Sequence, residues 1–91
     1  MFLSYACRCE LAKKLKQNGF YVRMHAYDYL LGKNGRIIGV LTIEPTNDTV
    51  YLYFSPLLTL KETRKIEDEV RKILSKFSEN VKFIVFQRSN I

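Results

Sequence analysis

Gly19-Phe20-Tyr21-Val22-Arg23, then Tyr27-Asp28, the turn Lys33-Asn34-Gly35-Arg36 and the run Ile38-Gly39-Val40-Leu41-Thr42-Ile43-Glu44 decide how this chain folds. Phe20 to Leu31 is rich in aromatic and β-branched residues and reads as extended, with Phe20, Val22, Met24 and Ala26 alternating against Tyr21, Arg23, His25 and Tyr27. Asn34-Gly35 is a two-residue hairpin signal, because both central positions of that turn need positive φ. Arg36 to Glu44 is then the returning strand. Pro45-Thr46-Asn47-Asp48 marks a second turn, and Thr49 to Ser55 a further strand ended by Pro56.

Helices flank this block. Leu3, Cys7, Leu11 and Leu15 recur every fourth residue and predict an apolar stripe on a helix from Ser4 to Gln17, stopped at Asn18-Gly19. Thr59 and Glu62 form a capping-box pattern, and Ile66, Val70, Ile73, Leu74 and Phe77 follow at helical spacing, with Asn80 as the stop. Val81 to Phe86 is apolar on both faces apart from Lys82, which predicts a central strand covered on both sides. The expected architecture is α/β (α+β): a single domain over residues 1–91, order αβββ(β)αβ, with a mixed sheet flanked by two helices.

The chain has 91 residues and a net charge of +6 at pH 7. The surplus lies toward the amino end, where Arg8, Lys13, Lys14, Lys16, Arg23, Lys33 and Arg36 face only Glu10 and Asp28. Residues 37–58 carry Glu44 and Asp48 and no cation. Cations grouped on one segment attract phosphate, so these seven are the candidate nucleic-acid contacts, whether the backbone is DNA or RNA. The second helix interleaves its cations with Glu67, Asp68 and Glu69 and reads as a solvated face. Cys7 and Cys9 stand about 160° apart on a helix and cannot easily bridge each other. With His25 as the one histidine they make a poor zinc set. Free thiols, no signal-peptide pattern and no apolar run of membrane-spanning length point to a cytoplasmic protein with no membrane partner.

The arrangement resembles the restriction-endonuclease-like superfamily, within it the archaeal Holliday-junction resolvases. The similar positions are Glu10 on the first helix, Gly19-Phe20 after it, Asp28 opening a hairpin strand, Asn34-Gly35 in the turn, and Glu44 where an E-x-K motif would stand. The resemblance implies a Mg²⁺ shared by Asp28 and Glu44 with Glu10 assisting, and a catalytic lysine two residues after Glu44. That position is Thr46, behind Pro45. A lysine there would position water and neutralise phosphate charge. Its absence implies a degenerate site, with no cofactor unless a lysine such as Lys33 or Lys61 has taken the role.

Register raises a second objection. A regular Asn34-Gly35 hairpin pairs residues whose numbers sum to 69, placing Asp28 opposite Leu41 and Glu44 opposite His25. The two acids would then face opposite sides of the sheet, about 10 Å apart along the strands. A bulge at Gly32, Gly35 or Gly39 would restore the match. His25 reads as a cross-strand partner of Glu44. Tyr21, Tyr27, Tyr29, Tyr51 and Tyr53 read as a half-buried sheet, a dimer interface or a base-stacking face.

Three functions follow as expectations. The first is a small basic nucleic-acid-binding protein on a nuclease-like, catalytically incomplete core. The second is a protein-interaction module or homodimer using the tyrosine-bearing sheet or an edge strand. The third is an active Mg²⁺-dependent nuclease with a migrated lysine.

Overall fold

The computed structural model describes residues 1–86. Helix α1 (Tyr5–Gln17) starts where the Ser4 hydroxyl accepts the Cys7 N–H at 3.3 Å, and it ends at Asn18. Leu3 does not join its apolar stripe: it precedes the helix and is 66% exposed, while Phe2 is fully buried. Asp48 explains the exchange. Its carboxylate accepts the Phe2 N–H at 3.2 Å and sits 3.6 Å from the terminal amine, drawing the chain start inward.

Four antiparallel strands follow, β1 (Tyr21–His25), β2 (Asp28–Lys33), β3 (Arg36–Glu44) and β4 (Thr49–Phe54). The stretch expected to run extended through residues 20–31 is in fact a hairpin that turns at Ala26-Tyr27. Ala26 adopts φ +55, where a tight turn normally places Gly or Asn. No residue type announces that turn, so a pattern reading passes through it. The Asn34-Gly35 turn is as expected, with φ +54 and +80.

The β2–β3 register is not the regular one. Gly32 pairs with Ile37, but Leu31 pairs with Gly39, so Ile38 is an extra residue and Asp28 lies opposite Thr42 rather than Leu41. Gly39 holds the bulge against β4, since a Cβ there would overlap the Tyr53 carbonyl oxygen.

Helix α2 (Leu60–Phe77) opens with the Thr59–Glu62 capping box and ends at Ser78, short of Asn80. Strand β5 (Lys82–Phe86) then runs parallel to β4. The sheet order is β1-β2-β3-β4-β5, so β5 is an edge strand and not the covered central one that its composition suggests.

The resulting α+β domain has two layers. Leu11 and Leu15 of α1 and Ile66, Val70, Ile73 and Leu74 of α2 share one core with Val22, Tyr29, Leu31, Ile38, Leu41, Ile43, Val50, Leu52 and Phe54. The helices lie side by side on that face, with the Phe2 and Phe77 rings 6.1 Å apart beneath them. Among the described residues no layer covers the other sheet face. No helix among the described residues is long and apolar enough to cross a membrane.

Candidate functional site

The bulge brings Asp28 and Glu44 onto the same sheet face, yet it does not make them a pair. Asp28 accepts the Thr42 hydroxyl at 2.9 Å. Glu44 lies two residues further along β3, about 7 Å away. Its two carboxylate oxygens accept the backbone N–H groups of Thr46 (3.3 Å) and Asn47 (2.8 Å), so it caps the β3–β4 turn. Glu10 is in the helical layer, 3.8 Å from Lys14. Among the described residues no group of three or more His, Cys, Asp and Glu side chains is placed to hold a metal ion. The donor set that the nuclease resemblance requires is therefore not assembled here. Thr46 offers no cation, Lys33 is drawn to Glu69, and Lys61 stands exposed in the first turn of α2. His25 pairs with Asp28 across β1–β2, not with Glu44 as a regular hairpin would require. The thiols of Cys7 and Cys9 are free, and burial raises the Cys7 pKa, which makes it a poor nucleophile.

The seven candidate cations do not form one patch. Arg8 is buried, its Nη1 donating to the carbonyls of Phe2 (2.8 Å) and Leu3 (3.0 Å). Lys33 and Arg36, at either side of the hairpin turn, pair with Glu69 and Glu62 of α2. Lys14 turns toward α2 and shares a cleft of about 270 Å³ with Gln17, Asn18, Glu69, Lys72 and Lys76. Lys13 and Lys16 lie on the other flank of α1, beside β1. Arg23 is on the sheet face away from the helices. The sequence places these residues close along the chain, but a helix distributes neighbours around its axis and the pleat separates alternate strand residues.

The sheet face away from the helices is the remaining candidate surface. Across its middle run Arg23, Leu30, Val40, Tyr53 and Phe86, one from each strand, and beside them His25, Asp28, Thr42, Tyr51 and Ile84. Tyr21 (56% exposed), Ile37 (48%), Tyr53 (46%), Phe86 (44%) and Ile84 (41%) present large apolar surface to solvent. The Tyr53 and Phe86 rings stack at 4.9 Å with an 8° interplanar angle, and Tyr51 follows at 6.0 Å. Two of the five tyrosines of the expected aromatic face are elsewhere. Tyr29 is buried, its hydroxyl donating to the Arg8 carbonyl at 2.8 Å, and Tyr27 lies half-buried under the Arg8 guanidinium at 4.3 Å. In exchange the face gains Leu30, Ile37, Val40, Ile84 and Phe86. For Ile84 and Phe86 the signal was present in the two-sided apolarity of β5, which marks an open apolar face rather than a second covering layer.

No protein-family model matches the chain, and comparisons with curated proteins and with solved structures give no match either.

Proposed function

We propose that this chain is a non-catalytic interaction module that pairs with a second copy of itself through the open sheet face. The observation that carries this is the exposure of Tyr21, Ile37, Tyr53, Ile84 and Phe86 around Leu30 and Val40 on a face that no helix covers among the described residues. A soluble monomer rarely leaves an apolar patch of this extent in water. Charge favours a like partner. On this face Arg23 and Lys82 are balanced by Asp28 and Glu44, so two copies meet without net repulsion although each carries +6 overall. A polyanion gains nothing from a neutral face. Five strands span about 24 Å, and with about 20 Å of strand length the footprint is roughly 500 Å² per copy, at the low end of specific interfaces. A weak, concentration-dependent dimer is therefore expected. Sedimentation equilibrium tests it. The wild type should be dimeric in the hundred-micromolar range, and Tyr53→Lys, at an exposed position, should weaken association at least tenfold. A wild-type chain that stays monomeric at about 1 mM ends the reading.

A second reading rests on the cleft between the helices, where Lys14, Lys72 and Lys76 converge with Gln17, Asn18 and Glu69, the last held by Lys33. Here the chain is a nucleic-acid-backbone binder on a nuclease-like layout of helix, antiparallel strands, helix and parallel strand. The dispersed carboxylates support a catalytically silent core rather than a Mg²⁺-dependent nuclease. The cleft lies in the helical layer, so both surfaces can act together in a homodimer. Free cysteines support a cytoplasmic site of action. Fluorescence anisotropy with labelled DNA and RNA at two salt concentrations is the test. Lys72→Ala with Lys76→Ala should weaken binding at low salt, and no binding by the wild type at low salt removes this reading.

A further inference from the structure

Among the described residues strand β1 has a free edge, and the groove beside it has the walls of a peptide site. The sheet begins at β1, whose one strand partner among the described residues is β2. A two-residue turn makes His25 and Asp28 a hydrogen-bonded pair. By antiparallel alternation Arg23 and Tyr21 also bond inward, and Val22 and Met24 direct their N–H and C=O groups off the edge. Above this edge runs a groove of about 460 Å³ between α1 and β1, lined by Cys9, Ala12, Lys13, Lys16, Gln17 and Met24. Its floor is apolar and its rim is cationic.

We infer that this edge accepts an extended acidic segment of a partner protein as a sixth, outermost strand. Every second side chain of such a strand points into the groove, onto Met24, Ala12 and Cys9. Small or branched apolar residues fit there. Carboxylates on the same segment meet Lys13 and Lys16 on the helix side or Arg23 on the open side. None of these three cations is paired with a carboxylate among the described residues, whereas Lys14 has Glu10 and Lys33 has Glu69. Main-chain bonds to Val22 and Met24 supply affinity, and the charge pattern supplies selectivity.

Charge also decides against a second copy at this edge. Pairing β1 with its own counterpart would bring Arg23 of both chains, and both sets of Lys13 and Lys16, to one seam. Tyr21–His25 contains no acid to offset them. The inference is thus separate from self-association through the sheet face.

The test uses the full chain and an end-capped hexapeptide, Glu-Glu-Val-Glu-Glu-Glu, whose alternate side chains put one Val between two carboxylates on the helix side, titrated to millimolar concentration and followed by amide hydrogen exchange and NMR shifts. Expected results are at least tenfold slower exchange at Val22 and Met24 and shifts confined to β1 and α1. Lys13→Glu with Lys16→Glu should weaken binding at least tenfold while leaving the sedimentation behaviour unchanged. Both lysines are exposed, so these variants are expected to fold. An analogue N-methylated at every residue, which has no N–H to donate to the ladder, should not bind. The inference is overturned by absence of binding, by unchanged exchange at Val22 and Met24, by shifts centred on the open sheet face, or by equal binding of the methylated analogue.

Discussion

Arg8 shows how a single residue changes meaning between sequence and fold. In the sequence it belongs to a cationic helix; in the molecule it is a clamp. Its Nη1 ties down the carbonyls of Phe2 and Leu3, its guanidinium lies over Tyr27 and near Tyr5, and its own carbonyl takes the buried Tyr29 hydroxyl. Burial pushes the Tyr29 phenol above its ordinary value, so that hydroxyl stays a donor at any working pH. Arg8→Met keeps much of the volume but strands two carbonyls. A loss of about 1–3 kcal/mol is expected in urea unfolding, and a loss below a few tenths would refute the clamp. Gly39→Ala is expected to be destabilising by at least about 1–3 kcal/mol, because the added methyl meets the Tyr53 carbonyl and either β4 or the bulge must move.

At the scale of elements, the helices and the Asn34-Gly35 hairpin were legible because their signals are local. Apolar spacing, the capping box and positive-φ residues all act within a few positions. Glu62 carries a pH consequence. The Thr59 N–H, together with the Thr59 hydroxyl contact and nearby Arg36, holds the Glu62 carboxyl below its ordinary pKa of 4.5. A lowered folded pKa means the stabilisation is complete above that ordinary value and is lost as pH falls through the folded one. Acid unfolding should therefore include a Glu62 contribution below about pH 4.5, and Glu62→Gln, which keeps the acceptor, should remove it. An unchanged acid limb in that variant would exclude the assignment. The β1–β2 hairpin was illegible, since Ala26 occupies a left-handed position against its preference. Ala26→Gly should relieve that strain and raise the unfolding free energy by up to about 1 kcal/mol; a lower denaturation midpoint would show that the turn is not as described.

Over the whole molecule, the two layers divide the chemistry. The helical layer carries the lysines of the interhelical cleft, and the sheet presents a neutral aromatic face. Salt should separate them. Self-association through the sheet face should change little between about 50 and 500 mM salt, whereas polyanion binding at the cleft should fall steeply over the same range. Sedimentation and anisotropy on the same protein would read both, and a dimer that dissociates steeply with salt would place the contact elsewhere. Of the candidate sites, the aromatic character of β4 was readable from its alternation. The joining of Tyr51 and Tyr53 with Phe86 was not, because β5 reaches β4 only through the α2 crossover.

Local pattern by itself determined the α+β class, both helices, the central hairpin and the presence of free thiols, since each depends on neighbours in the chain. Tertiary structure alone decided that both helices share one face, that β5 is an edge, that one extra residue at Ile38 shifts the register of Asp28, and that the amino-terminal cations part company. Those outcomes depend on contacts between residues far apart in sequence. A charge or an apolar side chain does not announce, from its own neighbourhood, which surface it will meet.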